Sequence, residues 1–169
     1  MDLGRAVFNA AIITISDKCQ DAKWIDESGI AMQKILIAYG FSIKSYEIIP
    51  HKREVIKDRL ITFCDDLKID LVVTTGGMGV GPKDITPEAT KQVIKKEIPG
   101  ISEAIRCYGI QKAPRTMLFR GVAGIREHTL IINLPGSTKD AREALESILE
   151  TVWQGLKVLK GVTSEGDRK

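Results

Sequence analysis

The chain has 169 residues, 43% hydrophobic and 28% charged, with 25 basic residues against 22 acidic ones and a formal net charge of +3. This length suits one domain with a sizeable core, and the composition excludes a disordered, low-complexity or collagen-like chain. Basic and acidic residues are interspersed, so no nucleic-acid-binding face is expected.

Ala10–Ile15 is a continuous apolar run ending at Ser16 and Asp17, as expected of a central parallel strand covered on both faces. Asp17 and Lys18 interrupt it long before the ~20 residues of a membrane span, so neither membrane insertion nor secretion is expected. Asp26 or Ser28 can cap a following helix, whose apolar positions Ile30, Ala31, Ile35, Leu36 and Ala38 recur at helical spacing up to Gly40. Phe41–Ile49 reads as a second strand, Glu54–Leu67 as an amphipathic helix and Ile69–Thr75 as a third strand.

Further along, the spacing predicts a helix over Pro87–Ile98, broken by Pro99 and Gly100 before a shorter helix over Ile101–Tyr108. Arg115–Val122 is ambiguous between strand and loop, and Thr129–Leu134 is a buried strand closed by Pro135 and Gly136. The last helix is marked by Ala141, Ala144, Leu145, Ile148, Leu149, Val152, Trp153, Leu156 and Leu159 at i, i+3/i+4 spacing, with Ser137 and Asp140 as a capping-box variant. The alternation predicts an α/β three-layer sandwich, a mostly parallel central sheet flanked by helices. Residues 1–162 form the single domain, and 163–169 are expected to be a disordered tail.

Cys19, Cys64 and Cys107 lack CxxC spacing, so neither a disulfide framework nor a zinc site is supported, and a reducing cytoplasm fits best. His51 and His128 have no metal-ligand spacing either, although His51, at the end of the second strand, could face a site there.

In open parallel sheets ligands bind beyond the carboxyl ends of the strands, which directs attention to the loops after Ile15, Thr75 and Leu134. The middle loop reads TTGGMGVGPKDITPEAT from Thr74. Its four glycines let backbone N–H groups approach a ligand, and Thr86 as N-cap with Pro87 at the first helical position would aim a helix terminus at the same place. Neither the P-loop nor the Rossmann spacing is present. Asp84 beside a phosphate cradle implies a bridging cation such as Mg²⁺; alternatively, Asp84 is a turn residue and the glycines only make a tight connection. Asn133-Leu134-Pro135-Gly136-Ser137 likewise offers either an anion site or a plain helix cap.

This glycine string, with NLPGS after a later strand, TISD near the N-terminus, PGISEAIR and GVAGIR, resembles the MoaB/Mog family of molybdenum cofactor biosynthesis proteins. That family includes molybdopterin adenylyltransferases and the G domains of proteins such as gephyrin, and the likeness runs from about Ala10 to Gly161. The resemblance implies a cytoplasmic homotrimeric enzyme that transfers AMP from Mg-ATP to the molybdopterin phosphate, releasing pyrophosphate. Molybdenum-insertion proteins are implied as recipients of its product. Asp84 then matches the family's essential acid, linked to Mg²⁺ through the substrate phosphates. Thr75, Gly76, Gly77 and Gly79 match the glycine loop, and Asp26, Ser28 and Gly29 the D-x-SG segment. Glu103 and Arg106 match PG-x-x-E-x-x-R, and Asn133, Pro135, Gly136 and Ser137 the NLPGS turn. The chain departs from the pattern at His51 (usually Asp), Met78 (Thr), Lys83 (Arg), Gly109 and Phe119 (Ser) and Thr138 (Pro). Those departures leave open a non-catalytic molybdopterin carrier. A nucleotide-hydrolysing enzyme is a third reading, because CinA-type pyrophosphatases share the domain.

Overall fold

The computed structural model describes residues 8–162, so the expected tail at 163–169 lies outside the described residues. Six strands form one sheet in the order β2-β1-β3-β6-β5-β4. β1 (Asn9–Ile15), β2 (Ser42–Ile49), β3 (Leu71–Thr75) and β6 (Thr129–Leu134) run parallel. β5 (Ala123–Arg126) and β4 (Lys96–Glu97) add an antiparallel edge. The three-layer α/β reading therefore holds.

Strand residues alternate between two cores. Ala10, Ile12, Leu71, Val73, Leu130 and Ile132 pack against α1 (Glu27–Tyr39), α4 (Pro99–Ile110) and α5 (Thr138–Leu159). Ala11, Ile13, Val72 and Ile131 face α2 (Arg53–Ile61) and α3 (Thr86–Lys91). Both faces of the central strands are thus dry, which is why they read as unbroken apolar runs. On the first face Trp153 of α5 sits edge-on to Phe8, Tyr39 and Phe41, so it is a packing residue.

The ends of α1 follow the capping rules. Asp26 accepts from the Gly29 N–H at the start, and Gly40 closes the helix at φ +108°. The buried stripe of α1 runs through Ser28, Gly29, Met32 and Leu36, while Ile30 is exposed. α2 continues through one wider turn, Thr62–Asp66, before β3.

Three expectations are corrected. The helix predicted over Pro87–Ile98 ends at Lys91, because the Lys95 N–H donates to the Ile125 carbonyl and Ile98 N–H to that of Ala123, drawing the chain into β4. Pro99-Gly100 opens α4 instead of breaking a helix: proline at the first turn costs no hydrogen bond. The ambiguous region contains a tight 3₁₀ turn, Pro114–Leu118, and β5 follows it unforeseen, paired to β6 through a hairpin with Glu127 at φ +50°.

Candidate functional site

Because β1, β3 and β6 are adjacent and parallel, the loops after Ile15, Thr75 and Leu134 leave the sheet on one edge, side by side. Gly76 turns at φ +95°, and a Cβ there would stand 2.4 Å from the Ile15 carbonyl oxygen. A Cβ on Gly136 would stand 3.3 Å from the Gly76 Cα. Backbone therefore packs on backbone across all three strand ends. The Thr75 hydroxyl donates to the Pro135 carbonyl at 2.6 Å, and that of Ser28 donates to the Gly136 carbonyl at 3.1 Å.

The glycine loop is anchored to α3 by Thr86. The predicted N-cap role passes to Ile85, and the Thr86 hydroxyl instead donates to the Gly76 carbonyl at 3.0 Å. Gly77, at φ +70°, leaves room for that hydroxyl, which a Cβ would meet at 2.3 Å. Further out, Asp84 Oδ2 accepts from the Gly81 N–H at 2.9 Å and closes the loop on itself. Asp84 Oδ1 makes no hydrogen bond among the described residues.

Arg120, which sequence reasoning passed over, braces the loop from behind. Its guanidinium donates to the Gly79 carbonyl (2.7 Å), the Asp84 carbonyl (2.6 Å) and the Glu88 carboxylate. Burial alone would push the Glu88 carboxyl up, but Arg120 and the residue's own backbone N–H hold it below its ordinary value of 4.5. The only trace of Arg120 in the sequence is one arginine in an otherwise apolar, irregular stretch.

On the β2 side, Lys83 pairs with Asp17 at 2.6 Å, and Asp17 also accepts from the His51 N–H. The Lys83 ammonium, then that amide, hold the Asp17 carboxyl low, while Asp17 raises Lys83. His51 does face the glycine loop: its Nδ1 donates to the Lys83 carbonyl at 3.1 Å.

Against the other flank lies a cavity of 380 Å³ lined by Gly77, Met78, Gly79, Asp84, Pro135 and Gly136, with Arg115 and Asp140 at its margin. This volume falls in the roughly 300–1,000 Å³ range of small-molecule sites. A larger groove of 580 Å³ runs between α1 and α5 but includes none of the glycines. Phe119 and Val80 make part of the first cavity apolar. Gly109 and Phe119, two departures from the family pattern, have packing explanations. A Cβ on Gly109 would meet Thr116 Cγ2 at 2.4 Å, and the Phe119 ring fills the space above Gly121. Thr138 turns its hydroxyl to Ser28 at 3.1 Å.

The remaining expected site residues are placed differently. Asp26 is buried, and its carboxylate is taken by Thr14 (2.5 Å), Tyr46 (2.6 Å) and the Gly29 N–H. Burial, then this bond to Asp26, raises the Tyr46 phenol far above its usual range. Asn133 lies in the core, its amide donating to Thr74 and Thr90 and its oxygen accepting from Val122 N–H. Ser137 Oγ accepts from the Asp140 N–H and caps α5. Glu103 is exposed on α4 and does not line the cavity. Among the described residues no group of three or more His, Cys, Asp or Glu side chains could hold a metal.

A glycine-walled cavity at the carboxyl edge of a parallel sheet, with Asp84 and Asp140 in its wall and a helix N-terminus beside it, has the geometry in which α/β proteins hold phosphorylated small molecules. Residues 11–154 match the family model described as "Probable molybdopterin binding domain", and the chain belongs to that family. It is 42% identical over 143 residues to the molybdopterin adenylyltransferase of Helicobacter pylori strain J99, covering 83% of this chain and 81% of that one. The Escherichia coli K12 enzyme of the same name is 32% identical over 154 residues, or 89% and 77% of the two chains. Among solved structures, the molybdopterin biosynthesis enzyme MoaB of Thermus thermophilus superposes with a TM-score of 0.86 at 40% identity, covering 92% of this chain and 98% of that one.

The Arg120–Glu88 brace gives a pH prediction. A carboxyl held low in the folded state contributes stability above its unfolded value, and that contribution is lost as pH falls through the lowered folded value. Between about pH 6 and about pH 3, thermal unfolding of Glu88→Gln should therefore change less with pH than that of the wild type. Parallel curves would show that the brace contributes nothing.

Proposed function

We infer that the chain is a molybdopterin adenylyltransferase, transferring AMP from ATP to the terminal phosphate of molybdopterin. The observation that supports this most is the joining of the Gly76-Gly77 and Pro135-Gly136 turns over one cavity beside Asp84, in a chain 42% identical to an enzyme of that name. In the reaction an oxygen of the pterin phosphate attacks the α-phosphorus of ATP. A new P–O bond forms as the bond to the bridging oxygen breaks, and pyrophosphate leaves with the electron pair.

No covalent nucleophile on the protein is required. Backbone N–H groups of the glycine loop and of the Pro135-Gly136-Ser137 turn, together with the α5 N-terminus, meet the phosphate oxygens as charge builds on them. Asp84 offers Oδ1 while Oδ2 keeps the loop closed. One carboxylate oxygen without a protein cage suits Mg²⁺, which is held by one or two carboxylates plus substrate phosphates. When bound, Mg²⁺ supplies charge neutralisation between Asp84 and those phosphates. Arg120 keeps Gly79 and Asp84 in register and acts as a positioning residue. Thr75 and Ser28 hold the two turns together, and Asp26, Asn133 and Ser137 stabilise the elements that carry them.

The reading includes a cytoplasmic homotrimer. The three free cysteines fit a reducing compartment, and no helix among the described residues is long and apolar enough to cross a membrane. Exposed Ile30 and Ile37 on α1, beside the α1–α5 groove, form an apolar surface that a second copy would cover. Sedimentation equilibrium should return three times the 18.6 kDa chain mass, and a monomer would refute the assembly.

Purified protein with molybdopterin, ATP and Mg²⁺ should yield adenylated pterin, detected by mass. Asp84→Asn should lower kcat by about 10²-fold or more with little change in thermal stability. Pterin bound without AMP transfer by the wild type would make the chain a carrier, and full activity of Asp84→Asn would remove that residue from the chemistry.

A further inference from the structure

A second polar cavity, of 230 Å³, lies between the α3–β4 segment, α4 and the chain leading into β5, and shares no lining residue with the glycine-walled cavity. It is lined by Lys91, Arg106 and Arg120 and opposed by one carboxylate, Glu97. Ser102, also in its wall, is only 3% exposed, and its Oγ is buried with no hydrogen-bond partner in the structure. A buried hydroxyl without a partner costs stability unless something absent from the protein satisfies it.

Donors are also in surplus around it. Arg120 spends three of its five N–H groups on Gly79, Asp84 and Glu88. Arg106 spends one, on the Phe119 carbonyl at 3.3 Å. The α4 helix, 12 residues long, begins at Pro99 with no side-chain cap; Ile101 N–H turns back to the Ile98 carbonyl, which leaves the Gly100 amide and the positive dipole end beside Ser102.

We propose that this cavity is a second anion site, which takes a small phosphate-type oxyanion on Ser102, Arg106, Arg120 and the α4 N-terminus. Lys91, Arg106 and Arg120 face Glu97 in the wall and the Glu88 carboxylate that pairs with Arg120 behind it, so cations still exceed carboxylates by one and set the sign of the ligand. The 230 Å³ volume, below the roughly 300–1,000 Å³ of sites for drug-sized molecules, suits inorganic phosphate or pyrophosphate better than a whole nucleotide. Arg120 joins the two cavities, because the guanidinium that would hold the anion also holds two carbonyls of the glycine loop. An anion bound here would therefore stiffen that loop. The site stands independently of the adenylyl-transfer reading.

Isothermal titration of the full chain with phosphate, pyrophosphate and ATP, each without Mg²⁺, tests the proposal. Phosphate or pyrophosphate should bind, and Arg106→Gln should weaken that binding by about tenfold or more. Arg106→Lys should lie between the two, and the loss caused by Arg106→Gln should be the same in an Asp84→Asn background. Ser102→Ala is the sharper variant. It should raise the melting temperature in anion-free buffer, by removing an unsatisfied hydroxyl, and lower the further rise that saturating phosphate produces. Anion affinities untouched by Ser102→Ala and Arg106→Gln, or binding of ATP alone with both free anions silent, would overturn it.

Discussion

The structure depends on a backbone-to-backbone contact. The ends of β1, β3 and β6 converge because Gly76 carries no side chain where the Ile15 carbonyl passes, 2.4 Å from the place a Cβ would occupy. Gly136 then comes down onto Gly76 from the third strand. With that approach made, the Thr75, Ser28 and Thr86 hydroxyls can each reach a carbonyl of a neighbouring turn. The carbonyl groups of these turns are thereby occupied within the protein. Such turns favour an anion, since the groups that remain to meet a ligand are amides.

Electrostatics complete the arrangement. A loop carrying Asp84 beside phosphates is self-repelling, and two cationic side chains restrain it from opposite flanks. Arg120 grips the carbonyls of Gly79 and Asp84 from behind, and Lys83 ties the loop to Asp17 after β1. The two restraints differ in strength. Arg120 is partly shielded and multidentate, whereas the Lys83–Asp17 pair has side chains 75% and 46% exposed and is correspondingly weak. Under the proposed reading the loop stays rigid at Gly79–Asp84, and the Lys83 side can yield as nucleotide enters.

Most of this was legible in the sequence where period and chain chemistry coincide. Ala10–Ile15, Ile69–Thr75 and Thr129–Leu134 are strands buried on both faces, so their runs are uninterrupted, and the three loops after them could be placed on one edge before any coordinates. The α5 stripe was equally plain. The second half of the chain misled for physical reasons: the stretch from Val93 to Ile98 suits a helix or a strand, and the pairing of Lys96 and Glu97 with β5 decides between them. A proline in Pro99-Gly100 can end one helix or open another. Within the site, residue type pointed to the right places without assigning roles. Asp26 reads as a helix cap or a binding residue until Thr14 and Tyr46, 12 and 20 residues away, are seen to occupy its carboxylate. Arg120 gave no signal because two of its partners are main-chain carbonyls, which no residue pattern encodes, and the third, Glu88, lies 32 residues away.

Amide hydrogen exchange, followed by mass spectrometry with and without Mg-ATP, tests most directly whether these loops form one ligand site. Added protection should concentrate in the segments spanning Thr75–Thr86 and Leu134–Asp140, with the outer face of α2 unchanged. Protection centred on the α1–α5 groove, or none in the glycine loop at saturating nucleotide, would contradict a nucleotide site at the carboxyl ends of β1, β3 and β6.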